Sequence, residues 1–243
     1  MTAELFFEDF TVALAIFDLD HTLLSGDSDH AWGQFLVDSK IVEPEHHQKQ
    51  NDYFYEQYKA GSLDIEEYLA FALKPLTEQP LASMLALREI FIEERIKPLI
   101  TDKARALIAK HKQAGDDLLI ITATNAFVTR PIANLLGFDE LIAPEPEIID
   151  GQYTGGITGI PSFQHGKVTR LEMWLAEKQI DISGAFFYSD SHNDLPLLNI
   201  VDNPIAVDAD EILTNTATRN GWPLISLQDS SLQDSSLQDN QPR

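Results

Sequence analysis

Three short apolar runs constrain this 243-residue chain more than any other feature: VALAIF (12–17), DLLII (117–121) and AFFY (185–188). Each is too short for a helix and too continuously apolar for a strand with one wet face, so each reads as a strand buried in the core. Each also runs straight into side chains that a dry core does not require. VALAIF leads into Asp18 and Asp20, DLLII into Thr122, and AFFY into Ser189 and Asp190, with Asn193 and Asp194 close behind.

The segments around these runs alternate with them. From residue 101 the pattern predicts a helix ending at Gly115, the strand 117–122, a helix over 125–136, a weak strand at 141–143, a helix over 167–178 and strands at 185–188 and 204–207. Asp150-Gly151, between strand-like flanks in 147–159, predicts a hairpin. Strands alternating with helices favour an α/β fold, a mostly parallel sheet with helices on both faces. The interval 29–98 is different, because it holds no good strand. Helical spacing covers 28–36 and the aromatic stretch YFYEQY (53–58), whose rings read as the core of this interval. Asp64 is placed to cap a further helix, with Glu67 closing a capping box and Leu63 and Tyr68 at staple positions. A last helix over 81–97 stops at Pro98. The chain therefore divides into an α/β core (11–28 and 99–227) and a helical insertion (29–98). The tail, 228–243, repeats SLQDS with one apolar residue per unit and is expected to be disordered.

Composition removes several function classes. A net charge of −22 leaves no basic stripe for a polynucleotide, so nucleic acid is not an expected partner. Without cysteine there are no disulfides, thiolate chemistry or Cys-zinc sites. His21, His30 and His192 lack partners at zinc spacing. MTAELFFEDF has no basic region of a signal peptide, and no apolar run is long enough to cross a bilayer, so the expectation is a cytoplasmic protein without a membrane partner.

In open α/β sheets functional groups gather beyond the carboxyl ends of the strands. If the three runs lie side by side, Asp18, Asp20, Asp190 and Asp194 converge, and their repulsion calls for a cation. An all-oxygen set with few protein ligands suits Mg²⁺, which keeps several waters and bridges to phosphate. The chemistry this predicts is metal-assisted phosphoryl transfer. Asp18 is the candidate nucleophile, forming an aspartyl phosphate, and Asp20 the candidate acid and base at the leaving alkoxide and the attacking water. Thr122 and Lys167 are the candidates to hold the phosphoryl group.

FDLDHT, IITAT, the Gly166-Lys167 pair and YSDSHNDLP resemble, in order and character, the four motifs of the haloacid dehalogenase superfamily. The resemblance implies a Rossmann-like core with Asp18 as nucleophile and Asp20 as acid and base. It also implies Mg²⁺ held by Asp18, the main-chain carbonyl of Asp20 and Asp190, with Asn193 and Asp194 in support. The insertion after the first motif corresponds to the helical cap of the phosphoserine-phosphatase-like branch. The dehalogenases themselves lack the second Asp, so Asp20 argues for a phosphatase acting on a small-molecule phosphate ester.

Substrate choice rests on finer marks. Phosphoserine phosphatases carry a Glu seven positions after the acid/base Asp, and a cap Arg that clamps the substrate carboxylate. Asp27 stands at the first position, able to pair with an amine, and Ala72 at the second. Losing a bidentate clamp weakens selection for an amino acid. LLSGDSDHAWGQFL is instead similar to the histidinol-phosphatases of this branch, whose substrate has an amine and an imidazole but no carboxylate. Phosphoserine phosphatase, phosphomutase and a catalytically inactive binding protein are the alternatives.

Overall fold

The computed structural model describes residues 13–228. In chain order the elements are β1 (Leu14–Phe17), α1 (Ser28–Asp38), α2 (Pro44–Lys59), α3 (Ile65–Glu78), α4 (Leu81–Phe91), α5 (Asp102–Ala114), β2 (Asp117–Ile121), α6 (Ala126–Leu136) and β3 (Glu140–Ile142). There follow β4 (Glu145–Ile149), β5 (Gln152–Thr158), α7 (His165–Lys178), β6 (Phe186–Ser189), α8 (Leu195–Leu198), β7 (Asn203–Val207), α9 (Glu211–Asn220) and β8 (Leu224–Ile225).

Six strands form one sheet in the order β3-β2-β1-β6-β7-β8, and every pairing is parallel. The continuous apolar runs follow from this placement. Along β1, Leu14 and Ile16 point into one core with Leu171 of α7 and Leu213 of α9, while Ala15 and Phe17 point into the other with Ile108 of α5 and Ile132 of α6. Strands covered on both faces have no wet side, so alternation disappears. Ile16 and Phe17 are fully buried, each contributing about 1.5–3 kcal/mol through burial.

The order of the strands sets the site. From β1 the chain builds β2 and β3 on one side and then returns to place β6 on the other. Such a reversal opens a crevice beyond the strand ends. The ladder continues one residue past β1, where Asp18 N donates to Tyr188 O at 2.9 Å, so the first residue of the loop is still fixed by the sheet.

Helices α1–α4 occupy the interval between β1 and the α5–β2 unit. Trp32 of α1 packs on Phe91 within this layer and joins the layer to the rest through Phe127 of α6, with ring centroids 5.1 and 5.8 Å away. The helix expected over 81–97 changes pitch instead of stopping once: α4 passes into a π turn, Ile92–Ile96, and a 3₁₀ turn, Lys97–Leu99, that contains Pro98. Asp64 caps α3 by accepting from Glu66 N and Glu67 N, both at 3.1 Å. The exposed Glu67 side chain makes no return bond among the described residues, so the cap is one-sided rather than a box.

The Asp150-Gly151 hairpin forms β4 and β5, with both turn residues at positive φ, 52° and 78°. These are the angles of a turn whose twist matches that of its strands. The hairpin is a separate two-stranded sheet packed on α3, where Gly155 approaches Thr77. Gln228, grouped with the tail by composition, is tied down: its carbonyl accepts from Lys103 Nζ at 2.6 Å and its N–H donates to Asp208. The rest of the expected tail, 229–243, lies outside the described residues, as does Val12. Among the described residues no helix is long and apolar enough to cross a membrane.

Candidate active site

The loop after β1 carries Asp18 and Asp20, and two separate sets of bonds hold them. Asp18 Oδ1 accepts from Lys167 Nζ at 2.7 Å. The same ammonium donates to Asp194 at 2.8 Å, and Ser189 Oγ donates to Asp194 at 2.7 Å. Lys167 is only 1% exposed, so it serves as a buried bridge between the ends of β1 and β6. Its position depends on the glycine before it. A Cβ on Gly166 would lie 2.0 Å from Pro161 O, so only glycine lets the first turn of α7 approach closely enough to deliver the lysine.

Asp190 reaches the cluster through Thr22. The Thr22 hydroxyl lies 3.4 Å from Asp18 Oδ2 and 3.3 Å from Asp190 Oδ1, and it accepts from Asp190 N at 3.1 Å. One hydroxyl proton serves one carboxylate at a time, so the two acids are held near each other without being fully satisfied. Asp20 is held apart from them. Its Oδ1 accepts from Ser28 N at 2.6 Å, and its Oδ2 accepts from Thr124 Oγ1 at 2.8 Å. Thr122 is buried at the end of β2, its Oγ1 accepting from Thr124 N at 3.1 Å. Its own hydroxyl proton is left to donate elsewhere.

The electrostatics follow from this crowding. Burial pushes the Asp18 carboxyl up to about 7 against the downward pull of Lys167, and Asp194 and Asp20 add to the rise. Burial and then Asp27 push Asp20 up to about 6, although Ser28 and Thr124 hold it down. Asp190 is raised well above the usual carboxylate range by burial, Asp18 and Asp194. Burial works to lower Lys167, but its two carboxylate partners prevail and hold it above its ordinary value.

A divalent cation fits the donor set. Asp18 and Asp190 share one hydroxyl, and the Asp18 charge helps to raise the Asp190 carboxyl in a site whose donors are oxygen atoms. Among the described residues no three His, Asp or Glu side chains are grouped as a metal cage. The Asp18 and Asp190 carboxylates are therefore what these side chains offer, a sparse oxygen set of the kind Mg²⁺ accepts when water completes it.

Beside these groups lies a cleft of about 510 Å³, counting its open mouth, roofed by the helical layer. Its lining includes Asp18, Asp20, Thr122 and Thr124 from the strand ends and Phe54, Tyr55, Tyr58 and Tyr68 from α2 and α3. Tyr55 and Tyr58 thus face the cleft, whereas the sequence reading put the YFYEQY rings in the core of the insertion. Asn193 does not touch the carboxylates. It donates from Nδ2 to Tyr58 O at 2.9 Å and accepts from Gln164 at 3.0 Å, joining the helical layer to the β6 loop. Asp27 lines the cleft, but its Oδ1 caps α1 by accepting from Asp29 N and His30 N at 2.9 and 2.8 Å.

The sequence profile of haloacid dehalogenase-like hydrolases matches residues 15–199. The chain belongs to this family. It is similar to a histidinol-phosphatase of Neisseria meningitidis serogroup C, 42% identical over 88% of this chain and 99% of the relative. It is also similar to the phosphoserine phosphatase SerB1 of Mycobacterium tuberculosis, 29% identical over 87% of this chain and 70% of the relative. Among solved structures, a protein of unknown function from Bordetella pertussis superposes with a TM-score of 0.84 at 41% identity, covering 90% of this chain and all of that one. A substrate-bound phosphoserine phosphatase gives 0.67 at 18% identity over 93% and 98% of the two chains, a likeness of fold. Phosphoric monoester hydrolase is the enzyme class that this membership supports.

Within the haloacid dehalogenase-like frame, several residues at the site were not singled out by sequence. Thr22 and Thr124 sit inside the motif stretches, but a hydroxyl next to an acid carries no signal of its own. Gln164 needed the packing of segments distant in sequence.

Proposed function

We propose that the chain is a Mg²⁺-dependent phosphatase that hydrolyses a small phosphate monoester through an aspartyl phosphate on Asp18, with histidinol phosphate as the favoured substrate. The observation that carries the reading is the division of labour between the two acids: Asp18 is bound to the buried Lys167, and Asp20 is held independently by Ser28 N and Thr124. One acid is fixed beside a positive charge that can neutralise a phosphoryl oxygen, and the other is free of that charge, with its carboxyl pushed up to about 6.

In the first half-reaction an Asp18 oxygen attacks phosphorus and the bond to the ester oxygen breaks. Asp20, protonated, delivers its proton to the departing alkoxide. A carboxyl near 6 supplies that proton at neutral pH far better than an ordinary aspartic acid. In the second half-reaction Asp20, now a carboxylate, takes a proton from water, whose oxygen attacks phosphorus and releases Asp18. Lys167 and the Thr122 hydroxyl hold phosphoryl oxygens as charge develops. Asp194 fixes Lys167, and Asn193 fixes the helical layer over the cleft. When bound by Asp18, Asp190 and the Asp20 carbonyl, Mg²⁺ supplies the positive charge that lets a phosphate approach these acids.

The substrate assignment rests on the lining of the cleft together with the Neisseria relative. Among the described residues the cleft is lined by no Arg or Lys that could clamp a substrate carboxylate, whereas Asp27 and Asp29 suit an amine or imidazolium. Release of inorganic phosphate from a panel of phosphate esters, with Mg²⁺ and with chelator, tests the reading. Histidinol phosphate should give the highest kcat/KM. Phosphoserine in first place would make the chain a phosphoserine phosphatase, and transfer to a sugar hydroxyl in place of water a phosphomutase. No turnover of any ester would leave a binding protein.

A further inference from the structure

The Asp29 side chain is anomalous for an acid on the first turn of a helix. Such acids ordinarily sit in water, where the helix N-terminus favours them. Asp29 is 8% exposed, its Oδ2 is fully buried, and its carboxylate makes no hydrogen bond among the described residues. Ser28 Oγ beside it is likewise buried and without a partner. Buried carboxylates are normally paired, because leaving one unsatisfied is costly.

Its place explains what could satisfy it. Asp29 lines the cleft that contains Asp18 and Asp20, and it also lines a second, smaller cavity inside the helical layer, bounded by Trp32, His47, Phe71 and Ala72. Asn51 and Tyr68 are shared between the two spaces as well. The acid therefore stands where a substrate held by its phosphate at Asp18 would extend its other end. Aromatic walls on both sides suit a flat ring, and an unpaired carboxylate suits a cation. Asp27 is less available for this role, because one of its oxygens is already committed to two N–H groups of α1.

We propose that Asp29, rather than Asp27, is the specificity-determining acceptor for a cationic head group, an amine or imidazolium, on the phosphate ester. This assignment rests on the phosphatase reading above. It predicts that the chain distinguishes cationic from uncharged phosphate esters through a carboxylate that ligand binding completes.

The test is steady-state hydrolysis of histidinol phosphate, phosphoethanolamine and p-nitrophenyl phosphate by the wild type, Asp29→Asn and Asp27→Asn, with Mg²⁺ present. For Asp29→Asn the expected result is a loss of at least about tenfold in kcat/KM on the two cationic esters, or ~1.4 kcal/mol, carried by KM, with p-nitrophenyl phosphate changed less than about threefold. Asp27→Asn should affect the three esters alike. In the wild type, histidinol without phosphate should inhibit p-nitrophenyl phosphate hydrolysis, and Asp29→Asn should relieve that inhibition, which gives a readout independent of turnover of the cationic esters. An equal loss on all three substrates would reduce Asp29 to a structural residue and overturn the assignment. So would an unchanged preference in Asp29→Asn, or a wild type that turns over esters without favouring cationic ones. A wild type inactive on every ester would instead remove the phosphatase reading beneath it.

Discussion

Replacing Lys167 with methionine isolates what the buried ammonium does. Methionine approximates the lysine stem, so Lys167→Met removes charge and hydrogen bonds while leaving little cavity. What remains is two carboxylates, Asp18 at 3% and Asp194 at 1% exposure, that have lost the cation 2.7 and 2.8 Å away. Breaking a buried ion pair by removing one partner costs about 3–5 kcal/mol. At this chain length each kcal/mol lowers Tm by roughly 2–4 °C, so the metal-free variant should melt roughly 6–20 °C below the wild type at pH 8.

The cost should depend on pH in a definite direction. The Asp18 carboxyl lies at about 7 with Lys167 present, against an ordinary 3.8, and Lys167 is one of the influences holding it down. Without the lysine it moves higher still. A carboxyl raised on folding favours the folded chain in its protonated form, so the penalty is small at pH 5 and grows as pH rises through the folded value. Melts in chelator at pH 5 and pH 8 should therefore show the variant nearer to wild type at pH 5. With Mg²⁺ the variant should lose at least 10²-fold in kcat, the scale of losing one strong donor to developing charge. An equal deficit at both pH values, or turnover within tenfold of wild type, would refute this account of Lys167.

Further outcomes follow from the same geometry. Asp18→Asn and Asp20→Asn should each reduce Mg²⁺-dependent phosphate release to background in a colorimetric assay while Tm stays level or rises, because each removes a charge whose carboxyl burial had already pushed up. Metal-free wild type should lose stability between about pH 5 and 8, and millimolar Mg²⁺ should restore it at pH 8 in thermal melts, since Asp18 and Asp190 are then paired. A chain ending at Ser226 should melt below one ending at Gln228 by the equivalent of about 2–4 kcal/mol. It loses the buried Leu227 side chain together with the bonds from Thr101 Oγ1 to Leu227 O and from Leu227 N to Asp208. Ala72→Arg should weaken histidinol phosphate hydrolysis without making phosphoserine the better substrate, because the new guanidinium enters the small cavity that Asp29 also lines.

The parts of this molecule that could be read without coordinates are those where one physical demand acts over a short stretch. β1, β2 and β6 are legible because strand positions buried on both faces must be apolar, as in all of β1 and the carboxyl-terminal part of β2, and the polar residues that end each run mark the strand's end and the site together. The Asp150-Gly151 hairpin is legible because two positive φ angles in a row restrict the turn to a few residue types. Its docking on α3 is not, since that depends on the shape of a helix more than seventy residues earlier. Lys167 is an intermediate case. Taken alone, a lysine at a helix start reads as a solvated charge, and only its order among the other motifs raises it to a candidate. The reason it is buried is a contact between Gly166 and Pro161 O that no local pattern announces.

Asp29 carries this reasoning one step further. Type and spacing present it as one of two acids in GDSDH, and Asp27, nearer the motif, takes the role of amine partner by position. Folding reverses the order of importance. The N-cap geometry of α1 occupies one Asp27 oxygen, while Asp29 is left 8% exposed with no donor to its buried Oδ2 among the described residues. A chain gains nothing in stability from that arrangement, since a buried polar atom without a partner costs more than an apolar residue of the same size. Sites where local rules are broken without compensation in the fold are where function is to be sought, and in this cleft the group that compensates must arrive with the substrate.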